Sequence, residues 1–241
     1  MKKIIIYDFD GTLTPNSIPK LEILERCGIE EGIVDPKFRK MLSDRIENKD
    51  GDYYQSLYET FFETIKNAGF KLNNHNFTLG CNKVIYNKGV LEFLDMLKKN
   101  DVDNYLLSSG MKVFLNGISI APYFNEIYAT EFSYDGKEEV TGIKYLMSDK
   151  NKVSAIKDIL AKNNLCDCSN IIYIGDGLTD YYAMEYVKNH GGESIVVYIN
   201  KNYKSISNSK MRDVVTFFTK ADYSKNGQLV KYIKDLCDIY Y

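Results

Sequence analysis

Four short apolar runs punctuate the chain, and each gives way to polar or glycine-containing residues. Ile4-Ile5-Ile6-Tyr7 is β-branched apart from Tyr7 and reads as a strand buried on both faces. Residues 102–107, 170–174 and 194–199 read the same way. Helical patterns lie between them. Val90-Leu91, Leu94 and Leu97 recur at helical spacing, with Lys98 and Lys99 at the C-terminal end, where the dipole favours cations. Val153, Ile156, Ile159-Leu160 and Leu165 form a second stripe, preceded by Ser148 and Asp149 as cap candidates. A third, Leu229-Val230, Ile233 and Leu236-Cys237, ends the stretch from Asn200 to Tyr241 and reads as a helix packed on the core. Phe132-Ser133-Tyr134 and Val140-Thr141 flank Gly136 and predict a β-hairpin. Strands alternating with helices predict an α/β fold, a parallel sheet with helices on both faces.

The alternation fails from about Pro15 to about Tyr86, where no buried-strand pattern stands out. Helix-like stretches run instead over Pro19–Cys27, Pro36–Glu47 and Asp52–Asn67. The last carries Tyr54, Leu57-Tyr58, Phe61-Phe62 and Ile65, a stripe that reads as a packed helical face rather than a cofactor box. The pattern predicts a helical cap domain over residues 15–86, inserted into a catalytic core built from 1–14 and 87–241.

Charge and composition narrow the function. Lys and Arg number 31 and Asp and Glu 33 in 241 residues, a net charge of −2. That balance lacks the basic excess of a nucleic-acid binder. No stretch approaches the ~18 apolar residues of a membrane span. The N-terminal run meets Asp8 too soon to hold the ~7–15-residue core of a signal peptide. The five cysteines are scattered, and Cys166-Asp167-Cys168 has no matching second pair, so thiols in a loop are preferred to a metal or redox site. A cytoplasmic protein is expected. Oligomeric state is not set by the sequence.

The candidate chemistry sits where strands end. The first strand runs into Asp8-Phe9-Asp10-Gly11-Thr12, and residues two apart share a side, so Asp8 and Asp10 converge at a carboxyl edge. Asp-Gly is a common turn pair, which explains Asp10-Gly11 but not a second aspartate at the end of an apolar strand. A second acidic cluster, Gly175-Asp176-Gly177-Leu178-Thr179-Asp180, follows another strand, with a helix beginning near Leu178. Asp176 and Asp180 stand four apart and can face one pocket. An N-cap with a first-turn carboxylate would account for that cluster alone, and its pairing with the first favours function. Converging carboxylates need compensation, and hard oxygen donors with no histidine near in sequence select Mg²⁺. His75 and His190 read as surface residues. Tyr105-Leu106-Leu107-Ser108-Ser109-Gly110 ends in small polar residues ahead of a helical pattern from Met111, a junction suited to phosphate though also to ordinary capping. Lys152 stands at a helix start, against the dipole at a cost of a few tenths of a kcal/mol, with Lys150 and Lys157 as competitors.

Taken in order, these pieces resemble the haloacid dehalogenase superfamily of phosphohydrolases, nearest its phosphoserine-phosphatase-like branch. Asp8, Asp10, Gly11 and Thr12 match its first motif, Ser108 the second, Lys152 the third, and Gly175, Asp176, Gly177 and Asp180 the fourth. The resemblance implies a Rossmann-like core, with the insert as its helical C1 cap. It implies Asp8 as nucleophile, forming an aspartyl-phosphate, and Asp10 as general acid and base. Ser108 and Lys152 would hold the phosphoryl oxygens, and Ser109 and Gly110 could add backbone N–H groups. Mg²⁺ would bind Asp8, the Asp10 backbone carbonyl and Asp176, with Thr12 and Asp180 supporting from behind, Asp180 directly or through water. Asp10 and the absent membrane span disfavour the superfamily's dehalogenases and transport ATPases. A phosphomutase or phosphotransferase, or a phospho-ligand sensor without turnover, stays open. The branch's phosphoserine enzymes carry a Glu shortly after the first motif, and here no acid precedes Glu22. Asn16, Ser17, Arg39, Arg45 and Tyr54 are candidate substrate contacts, and a cap of this size favours a small phosphometabolite over a phosphoprotein.

Overall fold

The computed structural model of the protein describes residues 2–15, 21–48, 53–199 and 210–239. In chain order its first elements are β1 (Ile4–Tyr7), α1 (Glu22–Arg26), α2 (Pro36–Asn48), α3 (Tyr53–Asn67), α4 (Asn74–Phe77) and α5 (Val90–Lys99). Then come β2 (Asp103–Met111), α6 (Lys112–Asn116), β3 (Glu126–Tyr134), β4 (Val140–Tyr145), α7 (Asn151–Lys162) and β5 (Ile171–Gly175). The chain closes with α8 (Tyr181–Asn189), β6 (Glu193–Tyr198), β7 (Phe217–Lys220) and α9 (Gln228–Leu236).

Seven strands form one sheet in the order β4-β3-β2-β1-β5-β6-β7, and all neighbours are parallel except β4, which returns antiparallel along β3. The all-apolar β1 lies at the centre because it is buried on both sides. Ile5 and Tyr7 enter one core cluster and Ile4 and Ile6 the other, as a two-residue period requires. The first cluster takes α5 and α9 through Phe93, Leu97, Leu229 and Ile233, and the second takes α7 and α8 through Ile156, Ile159, Met184 and Val187. Chain winding reverses beside β1, so a crevice opens at the carboxyl ends of β1 and β5. No described helix is long and apolar enough to cross a membrane.

The elements described between β1 and β2 are helices, apart from an isolated bridge of Asn73 to Glu139. Aromatic side chains of α3 and α4 pack against the sheet end: Tyr58, Phe62 and Phe77 meet the Phe132 ring at 5.4, 5.2 and 5.4 Å between centroids. The Val140 N–H also donates to the Leu72 carbonyl, 2.7 Å, so the β3–β4 hairpin holds both the sheet and the helical segment. Pro19 and Asp52, where two helices are predicted to begin, lie outside the described residues, as do Asn16, Ser17 and residues 200–209.

Several elements depart from expectation. The parallel part of β3 and the edge strand β7 escape notice because Glu126 and Glu131 interrupt the first and only four residues form the second. β2 runs on through Met111, so α6 starts at Lys112. Leu178–Asp180 is a 3-10 turn, and the α-helix follows it. The residue at the N-cap of α7 is Lys150, which makes no side-chain cap hydrogen bond. The Ser148 carbonyl accepts the Asn151 and Lys152 N–H groups instead, and the Asp149 carboxylate takes the Tyr54 hydroxyl.

Phe132→Ala removes the ring on which three aromatic side chains converge. A loss of about 3–5 kcal/mol is expected, read as a lower urea midpoint. A loss under about 1 kcal/mol would show that this junction does not join α3 and α4 to the sheet.

Candidate active site

The Asp8 N–H donates to the Ile174 carbonyl, 2.9 Å, extending the β1–β5 ladder one residue beyond the strand. That bond fixes Asp8 at the sheet edge, 6% exposed, where the chain turns. The Phe9 carbonyl accepts the N–H groups of Thr12, Leu13 and Thr14. Gly11 has φ +78°, and a Cβ there would stand 2.2 Å from Asp176 Oδ2. Glycine therefore allows both the turn and the close approach of the second acidic loop. Asn87 Nδ2 and the Tyr223 hydroxyl donate to the Thr12 carbonyl at 2.8 and 3.1 Å and pin this loop to the core. The Thr12 side chain is buried, its hydroxyl without a hydrogen bond, and it does not line the cavity.

Lys152 is the centre of the arrangement. Its ammonium, 2% exposed, donates to Asp8 Oδ1 and Asp180 Oδ1, both at 2.7 Å. Lys157 lies over the Tyr186 ring instead, so the geometry selects Lys152 among the basic residues of this helix. Asp180, fully buried, also accepts the Tyr173 hydroxyl at 2.7 Å and, through Oδ2, the Asp176 N–H at 3.1 Å. A Cβ on Gly175 would meet Asp180 Oδ2 at 2.3 Å, so this glycine makes room for the carboxylate behind the loop. Burial works to lower the Lys152 pKa, but Asp180 and Asp8 overcome it and hold the ammonium charged. Burial drives the Asp8 carboxyl well above its usual range against the pull of Lys152. Burial, then the neighbouring Asp180, raises Asp176 to about 7.

Asp8, Asp10, Lys152 and Asp176 form the charged floor of a cavity of about 290 Å³, joined by Ser109, Gly110 and Thr179. Ser108 is buried behind this floor, and its Oγ accepts the Gly110 N–H at 3.0 Å. The Gly110 N–H is thereby engaged, while the Ser108 hydroxyl keeps its own proton to donate. The Ser109 carbonyl accepts the Tyr58 hydroxyl at 2.6 Å and the Thr130 hydroxyl at 3.0 Å. Of the expected substrate contacts, Tyr54 lines the cavity. Arg45 is paired with Glu59 and Glu63, and Arg39 lies in a separate hollow with Pro36 and Asp44.

Carboxylate oxygens of Asp8, Asp176 and Asp180 lie within 4.8 Å of one another. In this cluster carboxyl groups outnumber the single Lys152 ammonium, a crowding of oxygen donors that a divalent cation would offset. Both Asp180 oxygens already accept hydrogen bonds, so Asp8 and Asp176 are the members fitted to hold an ion. All are hard oxygen donors, which suits Mg²⁺. The sequence reading missed Tyr173 and Thr179. Tyr173 was detectable in principle, since it shares a strand face with Gly175 and carries a hydroxyl into an otherwise apolar strand.

The chain matches the haloacid dehalogenase-like hydrolase family over residues 5–185. It is 22% identical, over a 281-residue alignment, to an uncharacterized protein of Borreliella burgdorferi, spanning 96% of this chain and 95% of that one. A solved hydrolase of the same family from Salmonella enterica serovar Typhi superposes with a TM-score of 0.65 at 16% identity, over 99% of this chain and 72% of that one. A phosphoserine phosphatase with a phospho-aspartyl intermediate analogue gives 0.62 at 18% identity, over 97% and 98% of the two chains. At these identities the likeness is one of fold.

Asp180→Ala strands the Lys152 ammonium, the Tyr173 hydroxyl and the Asp176 N–H together. A stability loss of about 3–5 kcal/mol is expected in chemical denaturation. A loss below about 1 kcal/mol would show that Asp180 does not carry this network.

Proposed function

The chain belongs to the haloacid dehalogenase-like hydrolase family, and from that premise we propose that it is an Mg²⁺-dependent phosphomonoesterase acting through an aspartyl-phosphate on a small phosphorylated metabolite. One observation carries the reading: Asp8 lines the cavity and Lys152 bonds its Oδ1, so that its second carboxylate oxygen is the one available to attack phosphorus. That second oxygen attacks, a P–O bond to Asp8 forms, and the ester P–O bond breaks. Asp10, two residues on and lining the same cavity, gives its proton to the departing oxygen. Asp10 then takes a proton from the water that attacks phosphorus, and phosphate and the Asp8 carboxylate are regenerated.

The rest of the floor prepares these steps. Asp180 holds Lys152 charged and fixed, so the ammonium offsets phosphoryl charge without reorganising. The Ser108 hydroxyl, its oxygen already accepting from Gly110, has its proton to give a phosphoryl oxygen. Ser109 and Gly110 bring the β2 terminus alongside. Asp8, the Asp10 carbonyl and Asp176 would hold Mg²⁺, which supplies Lewis-acid stabilisation of phosphoryl charge. Its charge would also favour ionised Asp8 and Asp176 against burial. The fold shared with phosphoserine phosphatase supports this reading.

Hydrolysis of a generic aryl phosphate is expected with Mg²⁺, lost on EDTA treatment and restored by added Mg²⁺. Asp8→Asn should lower turnover by at least ~10³-fold, since an amide oxygen is a poor nucleophile. Wild-type turnover in Asp8→Asn, or undiminished activity after EDTA, would overturn the mechanism.

A further inference from the structure

Above its charged floor the cavity changes character. Among the described residues, every lining side chain other than the seven of the floor is apolar or tyrosine. Leu24 comes from α1, Leu57 and Phe61 from α3, and Phe114 and Leu115 from α6. Two of the tyrosines commit their hydroxyl protons to the protein: Tyr54 donates to Asp149 at 2.5 Å and Tyr58 to the Ser109 carbonyl at 2.6 Å, so neither has that proton to give a ligand. Tyr53 packs on Tyr54 edge to face, with centroids 5.4 Å apart.

No described ionic group of α1 or α2 lines the cavity. Glu22, the first acid after the Asp8 loop, bonds Arg26 at 2.7 Å and Lys83 at 2.8 Å and does not line the cavity. Arg45 serves Glu59 and Glu63. A leaving group bearing an ammonium or carboxylate would thus lose its water without gaining an ionic partner from these walls. An apolar body would replace water with ring and branched aliphatic contacts.

Building on the phosphomonoesterase reading, we propose that the substrate is a phosphate ester whose leaving group is uncharged and predominantly apolar, with a ring or branched hydrocarbon seated among Leu24, Leu57, Phe61 and Phe114. Phosphoserine and other zwitterionic esters are poor substrates on this account. The phosphate supplies the polar contacts at the floor, and the leaving group supplies the apolar contacts above.

The test compares alkyl esters, so that chemistry at phosphorus stays alike: 2-phenylethyl phosphate against phosphoethanolamine and phosphoserine, with Mg²⁺. A kcat/KM at least ~100-fold higher for the phenylethyl ester is expected. Equal or reversed preference overturns the proposal while leaving the phosphatase reading intact. Binding is measured separately by calorimetry with two phosphonates that no phosphatase can hydrolyse, 3-phenylpropylphosphonate and 3-aminopropylphosphonate. Tighter binding of the phenyl compound, weakened several-fold by Leu57→Ala with the amino compound unchanged, supports the apolar site even if no ester turns over, an outcome that would sink the phosphatase reading alone. Indifference of both phosphonates to Leu57→Ala, or tighter binding of the amino compound, overturns the proposal whatever the turnover.

Discussion

A lysine ammonium with almost no access to water bridges two carboxylates, and the site is arranged around that bridge. Lys152 reaches from the first turn of α7 to Asp8 at the end of β1 and to Asp180 after β5, at 2.7 Å each. A buried ion of this kind costs several kcal/mol to desolvate and persists only where partners are fixed around it. The fixing is visible on every side. Tyr173 and the Asp176 N–H complete the bonding of Asp180, and the ladder bond from Asp8 to Ile174 fixes the backbone of the other partner. Against these terms, the few tenths of a kcal/mol lost by placing a cation at a helix N-terminus are minor.

The sheet makes the bridge possible. β1 lies between β2 and β5, so the Asp8 loop, the Ser108–Gly110 segment and the Asp176 loop meet at one edge although they are far apart in sequence. Two glycines then remove the Cβ atoms that would hold the loops apart, Gly11 against Asp176 and Gly175 against Asp180. The result is crowded with carboxyl groups, and burial, with the neighbouring Asp180 after it, raises Asp176 to about 7. Such a cluster of hard oxygen donors is suited to a divalent cation. The helices after β1 close the cavity from above with rings and aliphatic side chains, fastened by Tyr54 to Asp149 and by Tyr58 to Ser109.

Much of this was legible in the sequence because buried parallel strands write themselves as unbroken apolar runs and catalytic loops follow them. Ile4–Tyr7, the Asp8 and Asp176 loops and Lys152 could be read for that reason. The parallel part of β3 could not, since Glu126 and Glu131 reach solvent-side cations and break the apolar pattern, while its hairpin end at Phe132–Tyr134 could. The part of Asp180 was visible only as a carboxylate at the right spacing. That it faces inward to Lys152 and Tyr173 depends on three separate segments meeting, which no local pattern encodes. The same holds for Arg45: its charge suggested substrate, and its partners Glu59 and Glu63, 14 and 18 residues further on in α3, decide otherwise.

The account depends on the Asp8 carboxylate forming a bond to phosphorus. Acid quenching during steady-state turnover, followed by proteolysis and mass spectrometry, looks for that bond directly. Phosphate on the peptide containing Asp8, removed by neutral hydroxylamine as an acyl phosphate must be, is the expected result. Vigorous turnover with Asp8 unmodified, or with phosphate on a different residue, would contradict the central claim.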